Sequence, residues 1–307
     1  MQLRIGISGW TYTPWRGVFY PPGLPQKREL EFASRQFNSI EINGSFYSLQ
    51  TPSSYKKWFD ETPDDFVFSV KGGRFITHMK KLKDVRIPLA NFFASGVLRL
   101  NEKIGPILWQ FPPGFAFNEE RFDEFFQLLP RSTSAAAKLA RENNGKVKAK
   151  AWTKIDRDRL LRYAVEIRHG SFNTPRFIAL LKRHQIALCV ADTAGKWPFM
   201  DDVTTDFVYV RLHGDEQLYV SGYTDEALDH WAARINKWRK SGRDVYCYFD
   251  NDVKVRAPLD AMNLSKRLGI KVGQMGGTLT AVARKLPNMS SSRDSRWRLG
   301  TVQRQPN

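Results

Sequence analysis

The stretch RYAVEIRHG, residues 162–170, decides the fold class of this chain. Its alternation places Glu166 and Arg168 on one face of a strand and Val165 and Ile167 on the other. A carboxylate and a guanidinium therefore share the face opposite the apolar one. Such a strand is typical of a closed barrel or of a sheet with a functional mouth.

Seven further runs have the same strand-like character. The predicted strands are RIGIS (4–8), SIEIN (39–43), FVFSVK (66–71), PILWQF (106–111), YAVEIR (163–168), ALCVAD (187–192), FVYVRLH (207–213) and VYCYFD (245–250). Helix-like segments separate most of them, at 28–37, 53–60, within 84–99, and at 119–129, 174–184, 225–240 and 258–268. Only the link at 193–206 lacks a clear helix. Helix start signals stand at Ser53, Asn118, Thr174 and Thr224.

This alternation of strand and helix, repeated eight times, predicts an α/β fold of the TIM-type (β/α)₈ barrel class. A doubly wound open sheet is the alternative, but no glycine-rich dinucleotide fingerprint follows the first strand. We expect a single barrel domain over residues 1–270, with an insertion at 131–160 before the fifth strand. Residues 271–307 are rich in Ser, Arg and Pro and predict a disordered basic tail.

The net charge of +17 is concentrated in these two segments. Residues 131–160 hold nine Lys or Arg against three acids, and residues 271–307 hold seven against one. Such segments suit salt-sensitive attraction to nucleic acid, and solvated basic ends that aid solubility are the alternative. Because the insertion precedes a strand, we expect it to emerge at the bottom of the barrel, away from the mouth.

The N-terminus shows no basic region leading into an apolar run, and no stretch is apolar enough to span a membrane. We therefore expect a cytoplasmic protein with no membrane partner. Cys189 and Cys247 each lie inside an apolar strand-like run, which indicates buried core thiols and neither a disulfide nor a thiolate metal cluster.

The barrel assignment predicts which side chains line the interior. The apolar alternates are expected to face the helices: Ile5, Ile7, Ile40, Ile42, Phe66, Phe68, Val70, Val165, Ile167, Val208, Val210 and Leu212. The interior alternates are then Gly6, Ser8, Glu41, Asn43, Ser69, Lys71, Gln110, Glu166, Arg168, Asp192, Arg211, His213 and Asp250, which are polar almost without exception. The charged ones end their strands, where this fold builds active sites.

A long aromatic loop follows the first strand and contains Trp10, Tyr12, Trp15, Phe19 and Tyr20. These rings could overhang the mouth and stack on a sugar or a nucleobase. They could equally pack against one another as a small core.

Several motifs resemble the YecE-like family, also known as domain-of-unknown-function family 72. They are GISGWTYTPWRGVFYP, EINGSFYSLQTP, FSVKGGRFITHMKKL, LWQFPP, AVEIRHGSF, YVRLHG and YFDN, collinear over residues 4–268. The resemblance implies a TIM-type barrel related to sugar isomerases, with no established activity. Where the family usually reads Phe-Asn-Asn, this chain has Phe249-Asp250-Asn251, and the insertion at 131–160 is absent from shorter members.

A metal hypothesis follows from four residues at the ends of the fifth to eighth strands. Glu166, Asp192, His213 and Asp250 stand in an order similar to the ligands of xylose-isomerase-like barrels. Carboxylates with one imidazole suit Mn²⁺ or Mg²⁺. Against this, two arginines would place positive charge beside the cation.

The metal-free hypothesis uses Lys71, Arg168 and Arg211 to grip a carboxylate or phosphate. Glu41 or Glu166 would then be the general base and His213 its acid partner. The predicted catalytic residues are Glu41, Lys71, Glu166 and His213, and the predicted substrate-binding residues are Trp10, Asn43, Tyr47, Gln110, Arg168 and Arg211. His78, His184 and His230 are predicted to be surface residues.

These features favour an enzyme that acts by acid/base chemistry on a small polar ligand, sugar-like or phosphorylated, at the barrel mouth. A metal-dependent phosphodiesterase and a non-enzymatic nucleic-acid-binding module are the alternatives. The sequence predicts neither the substrate nor the oligomeric state.

Overall fold

A computed structural model describes residues 1–270, so the predicted tail at 271–307 lies outside the described residues. Eight parallel strands close into a barrel in chain order, with the eighth paired to the first. The strands are β1 Leu3–Ser8, β2 Ser39–Ile42, β3 Val67–Lys71, β4 Ile104–Gln110, β5 Tyr163–Glu166, β6 Ala187–Asp192, β7 Phe207–Leu212 and β8 Asp244–Phe249. The chain is therefore a TIM-type barrel, as predicted.

Helices surround the barrel, and seven of the nine within residues 1–270 lie at the predicted helix-like segments, whereas Gly44–Tyr47 and Thr133–Ala140 do not. The helices are α1 Glu29–Gln36, α2 Gly44–Tyr47, α3 Pro52–Glu61, α4 Arg86–Ala94, α5 Glu119–Leu128, α6 Thr133–Ala140, α7 Pro175–Arg183, α8 Asp225–Lys240 and α9 Arg256–Arg267. A π-helical turn, Phe75–Met79, follows β3, and a 3₁₀ segment, Val97–Lys103, precedes β4.

Side-chain caps fix where several of these helices begin. Asn118, Thr174 and Thr224 each accept a hydrogen bond from a backbone N–H in the first turn, which confirms three predicted start signals. The fourth prediction, Ser53, is wrong. Thr51 caps α3 instead and Pro52 occupies the first helical position, where its missing N–H leaves no bond unmade.

The barrel interior is polar only in its upper layer. Below it, the interior holds a separate apolar cluster of Val67, Leu108, Ala164, Ala187, Cys189, Ala191, Phe207, Tyr209, Tyr246 and Tyr248. The apolar residues predicted to face the helices all belong to the large outer core. The expectation of a polar interior is therefore wrong for the lower layers, which large side chains fill as in other barrels of this class.

On β6 the predicted direction of the side chains is wrong. Cys189 and Ala191 join the interior cluster, whereas Val190 belongs to the outer core. Asp192 has the parity of Val190, so it lies on the outer face of the barrel. There its Oδ2 accepts a hydrogen bond from the Tyr223 hydroxyl at 3.2 Å.

The insertion at 131–160 begins and ends at the bottom of the barrel, where Thr133 N donates to Arg159 O. Its middle does not stay there. Arg86 Nη2, at the upper end of α4, donates to Glu142 Oε1 at 2.6 Å, and Lys148 Nζ donates to Ser48 Oγ at 3.0 Å. The insertion is back at the bottom by Trp152, whose N donates to Ala94 O at the lower end of α4. Because Ser48 follows the C-terminal end of β2 and α2, the insertion climbs the outside of the barrel toward the mouth, contrary to expectation.

The aromatic loop after β1 packs as a small core of its own. Trp15, Phe19 and Tyr20 are buried, and the Phe19 ring stacks on Phe37 beside α1. The thiols of Cys189 and Cys247 are free and buried, as predicted. No helix within residues 1–270 is long and apolar enough to cross a membrane.

Candidate active site

The guanidinium of Arg211 lies at the centre of the barrel mouth and is fully buried. Its Nη1 donates to Glu166 Oε2 at 2.6 Å, and its Nη2 donates to Glu41 Oε1 and Asp250 Oδ2 at 2.8 Å each. Burial alone would lower the pKa of Arg211, but the three carboxylates raise it well above its usual value. Arg211 therefore carries a permanent positive charge between acids from β2, β5 and the end of β8.

Hydroxyl groups hold Glu41 in place. Tyr209 Oη donates to Glu41 Oε2 at 2.5 Å, and Ser8 Oγ donates to Oε1. Asn43 Nδ2 in turn donates to Ser8 Oγ at 2.8 Å. Both oxygens of Glu41 thus have donors, which makes it a fixed acceptor for Arg211.

Arg168 pairs with Glu166 and stacks on an aromatic ring. Its Nη2 lies 2.8 Å from Glu166 Oε1, and its guanidinium carbon lies 3.9 Å from the ring centroid of Trp197. Burial by itself raises the pKa of Glu166, but Arg168 and Arg211 hold it well below its usual value. The helix-free link at 193–206, predicted as irregular, supplies Trp197.

His213 stands between two of the carboxylates. Its Nδ1 lies 3.0 Å from Asp250 Oδ2 without forming a hydrogen bond, and its Nε2 lies 3.6 Å from Glu166 Oε1 and 3.5 Å from Arg211 Nη1. Burial alone raises the pKa of Asp250, but Arg211 and His213 hold it below its usual value. The imidazole ring is itself covered edge to face by Tyr219, with ring centroids 5.3 Å apart.

Lys71 ends β3, and its side chain is nearly buried, with 6% of its surface exposed. Within the part of the chain that the structure describes, its Nζ forms no hydrogen bond or ion pair. Its contact is the ring of Phe46, whose centroid lies 4.5 Å away. Burial and the charge of Arg211 lower the pKa of Lys71 to about 8.

A rim of basic and aromatic side chains surrounds the mouth beside Lys71. Tyr47 is 66% exposed, and the guanidinium of Arg74 lies over its ring. His78 meets the Phe46 ring edge to face at 5.1 Å. Burial and the charges of Arg168 and Lys71 lower the pKa of His78 to about 4. His78 is thus a half-buried rim residue rather than the surface residue expected.

The remaining predicted binding residues have different positions. Gln110 is buried at the end of β4, next to Glu166 in the strand register. Trp10 is not brought to the mouth. It follows Gly9, which has a left-handed φ of +81°, and packs against Trp58 of α3, with ring centroids 5.2 Å apart.

Two further residues at the mouth lie outside the predicted set. Asp252 follows β8, and burial together with the Asp250 charge raises its pKa well above the usual value. Tyr12 lies beside it, and burial and the Asp252 charge raise the pKa of its hydroxyl. Both stand in loops, where no alternation indicates which way a side chain points. For Asp252 the sequence signal is its position two residues beyond Asp250, and for Tyr12 it is the aromatic loop that could overhang the mouth.

The side chains present do not fit the divalent cation of the metal hypothesis. Asp192 lies outside the barrel, and Glu166 and Asp250 both already hold Arg211. Among the described residues, no three His, Cys, Asp or Glu side chains are arranged to hold a metal ion. The guanidinium of Arg211 is instead the cation on which the carboxylates converge.

Fold and site together define a TIM-type barrel protein with a ring of arginine-paired carboxylates at its mouth. The family described as "Protein of unknown function DUF72" matches residues 4–287, so the chain belongs to that family. The family resemblance read from the motifs is thereby confirmed.

Individual relatives agree with this assignment. UPF0759 protein YunF of Bacillus subtilis (strain 168) is 23% identical over 280 residues, which cover 82% of this chain and 89% of YunF. UPF0759 protein YecE of Escherichia coli (strain K12) is 30% identical over 118 residues, 38% of this chain and 40% of YecE. The crystal structure of a DUF72 family protein from Thermotoga maritima has a TM-score of 0.70 at 24% identity, covering 88% of this chain and 100% of that one. That likeness shows the fold alone.

Proposed function

We propose that this chain is an enzyme that binds a small anionic, sugar-like or phosphorylated ligand at the barrel mouth and acts on it by metal-independent acid/base chemistry. The observation that carries the proposal is Lys71, a nearly buried side chain at the mouth whose amine has no hydrogen-bond or ion-pair partner among residues 1–270. A buried polar group without a partner costs free energy. A ligand that supplies the partner would recover that cost.

The surrounding charges favour an anion. Arg74, Arg168 and Lys71 all lie close enough to His78 for their charges to lower its pKa, and an arginine fork matches a carboxylate or phosphate. The aromatic face of Tyr47 is exposed beside them and is suited to stack on a sugar ring.

In this proposal the general acid/base is Lys71 rather than Glu41 or Glu166. The pKa of Glu166 lies well below its usual value, so this carboxylate is a weak base. Lys71, with a pKa of about 8, is matched to proton transfer near neutral pH. In this proposal Glu41, Glu166 and Asp250 set the electrostatic potential at the mouth and hold Arg211.

Ligand binding tests the proposal. The full chain, dialysed against EDTA, would be screened by thermal shift and native mass spectrometry against sugar phosphates, sugar acids and inorganic phosphate. We expect at least one compound to stabilise the wild type, and Lys71→Met or Arg168→Gln to remove that stabilisation. Lys182→Met, an exposed lysine on α7, is the matched control that should keep it.

The proposal fails if no anion stabilises the protein, or if binding survives both site variants. A requirement for a divalent cation would defeat its metal-independent part and would revive the phosphodiesterase hypothesis. Nucleic-acid binding through the exposed lysines of the insertion stays a prediction, since none of the contacts at the mouth depends on it.

A further inference from the structure

The amine of Lys71 differs from an ordinary anion-gripping lysine in its surroundings. Such lysines are usually hydrated and carry their charge at neutral pH. Lys71 instead has a nearly buried side chain whose Nζ lies over the face of Phe46, with the positive charge of Arg211 acting on it. The ring of His78 meets the same Phe46 ring edge to face, with centroids 5.1 Å apart.

These surroundings keep part of the amine uncharged. With a pKa of about 8, roughly a tenth of the Lys71 amines are neutral at pH 7. An ordinary lysine, with a pKa near 10.4, has several hundred times less neutral amine. Desolvation next to a second cation is a known route to a nucleophilic lysine.

We propose that Lys71 forms an imine with an aldehyde or ketone carbonyl of the ligand. The inference rests on the proposed function, since it takes the same mouth as the ligand site. It narrows the substrate class to carbonyl compounds that carry an anionic or polyhydroxylated group.

The step balances without a redox partner. The Nζ lone pair attacks the carbonyl carbon, the carbonyl π electrons move to oxygen, and a proton passes from nitrogen to that oxygen to give a carbinolamine. The hydroxyl then takes up a proton and leaves as water, while the nitrogen lone pair closes the C=N bond. One amine, one carbonyl and one proton from solvent thus give one protonated imine and one water.

The carboxylates of the mouth stabilise the product. Asp250, Glu41 and Glu166 all favour positive charge at the Lys71 nitrogen, which is where a protonated imine carries it. A protonated imine draws electrons from the neighbouring carbon and makes its C–H bond more acidic. Proton transfer between adjacent carbons is therefore the chemistry that such an adduct would support.

Reductive trapping tests the imine directly. The full chain would be incubated with glycolaldehyde, dihydroxyacetone phosphate or pyruvate in the presence of cyanoborohydride, and the modified lysines would be mapped by peptide mass spectrometry. We expect Lys71 to be labelled at least about tenfold faster than exposed Lys182, because far more of its amine is neutral. The labelling rate at Lys71 should rise with a midpoint near pH 8.

One variant and the pH profile of the wild type separate this inference from the proposed function. Lys71→Arg keeps a positive charge but forms no imine, so labelling at position 71 should vanish while labelling at Lys182 continues. Should that variant not fold, the pH profile of labelling in the wild type still decides.

Labelling of Lys71 no faster than that of Lys182 would overturn the imine. If an anionic ligand still stabilised the wild type through Lys71 and Arg168, the proposed function would stand with Lys71 as a base. Failure of both the trapping and the ligand screen would remove the two proposals together.

Discussion

Two buried lysines of this chain differ in what surrounds their amines. Lys103 Nζ donates to Phe59 O at 2.6 Å and to Thr62 O at 2.8 Å. Lys71 Nζ has only the face of Phe46. Hydrogen bonds offset the free-energy cost of burying the Lys103 amine. A cation–π contact worth about 0.5–2 kcal/mol offsets less of that cost for Lys71. Lys103 therefore stabilises the fold, whereas Lys71 destabilises it and leaves an amine that can bind a ligand.

Replacing each lysine by methionine should have opposite effects. The folded pKa of Lys71, about 8, lies below its ordinary value of 10.5, so the unfolded chain binds more protons between these pH values. Stability should rise with pH across that window, and the penalty is complete at pH 7. Lys71→Met should therefore raise the free energy of unfolding at pH 7 by about 1–3 kcal/mol, since one pKa unit is roughly 1.4 kcal/mol.

Lys103→Met is the matched comparison and should lower stability by about 1–3 kcal/mol, because it leaves buried carbonyl groups unpaired. Urea unfolding at pH 7 and pH 10 measures both variants. A loss of stability in Lys71→Met at pH 7 would contradict the assignment of Lys71 as an unpaired site residue.

The sequence predicts which residues lie at the barrel mouth better than it predicts which of them pair with one another. Glu41, Lys71, Glu166 and Arg211 were all predicted to share the mouth, because strand alternation and the position at a strand end fix the direction of each side chain. Which acid pairs with which base depends on distances of a few tenths of an ångström between strands far apart in the chain. Alternation carries no such information.

At the scale of elements, the loop from β7 to α8 is fixed by one tyrosine. Gly214 N donates to Tyr223 Oη, which donates in turn to Asp192 Oδ2, and Tyr223 N donates to Asp260 Oδ2 at 3.2 Å. These bonds hold the loop that carries Tyr219 against His213. Asp192, predicted as a metal ligand, thus positions a loop.

Stability should depend on pH through Asp260 on α9. Burial raises its pKa to about 7, against the lowering effects of Asn251, Tyr223 N and Arg256 and with a raising effect of Asp215. The folded chain therefore binds more protons than the unfolded chain between pH 4 and 7, so stability falls as pH rises through this window. Between pH 5 and pH 7 the loss should be roughly 2–3 kcal/mol.

Asp260→Asn should flatten this part of the profile, because an amide oxygen can accept the same hydrogen bonds without titrating. Asp229→Asn, at an exposed ion pair with Arg267, should leave the profile unchanged. Denaturant unfolding in steps from pH 5 to pH 8 measures all three proteins. An equally steep profile in Asp260→Asn would show that another group causes the loss.

The error at β6 shows where element-level prediction fails. Ala187, Leu188, Cys189, Val190 and Ala191 are apolar on both faces, since parallel strands in a barrel are buried on both sides. Alternation then gives no direction, so the strand pattern does not support the interior position predicted for the polar Asp192. By contrast, β5 and β7 carry charge on one face only, and their directions were predicted correctly.

At the scale of the whole molecule, the barrel brings acids from opposite walls onto one cation. Asp250 lies 209 residues beyond Glu41 in the sequence, with Glu166 between them. Each of the three carboxylates nevertheless has an oxygen within 2.8 Å of an Arg211 nitrogen. The sequence predicted the fold and the mouth, because strand order alone sets them. The sequence does not show whether a metal or an arginine neutralises the acids, because the position of the Arg211 guanidinium depends on the closed barrel.

Removing that guanidinium should convert the mouth into a metal site. Arg211→Ala leaves three carboxylates and His213 facing the vacated space, which should lower stability by about 3–5 kcal/mol. Because oxygen ligands with one imidazole suit Mn²⁺, saturating Mn²⁺ should restore part of this loss, about 2.7 kcal/mol at a hundredfold excess over Kd. The wild type should respond neither to Mn²⁺ nor to EDTA. Arg267→Ala, which frees two exposed carboxylates, should also not respond. Melting temperatures of the three proteins with and without Mn²⁺ test this prediction. Stabilisation of the wild type by Mn²⁺ would mean that Arg211 does not fill the cation position.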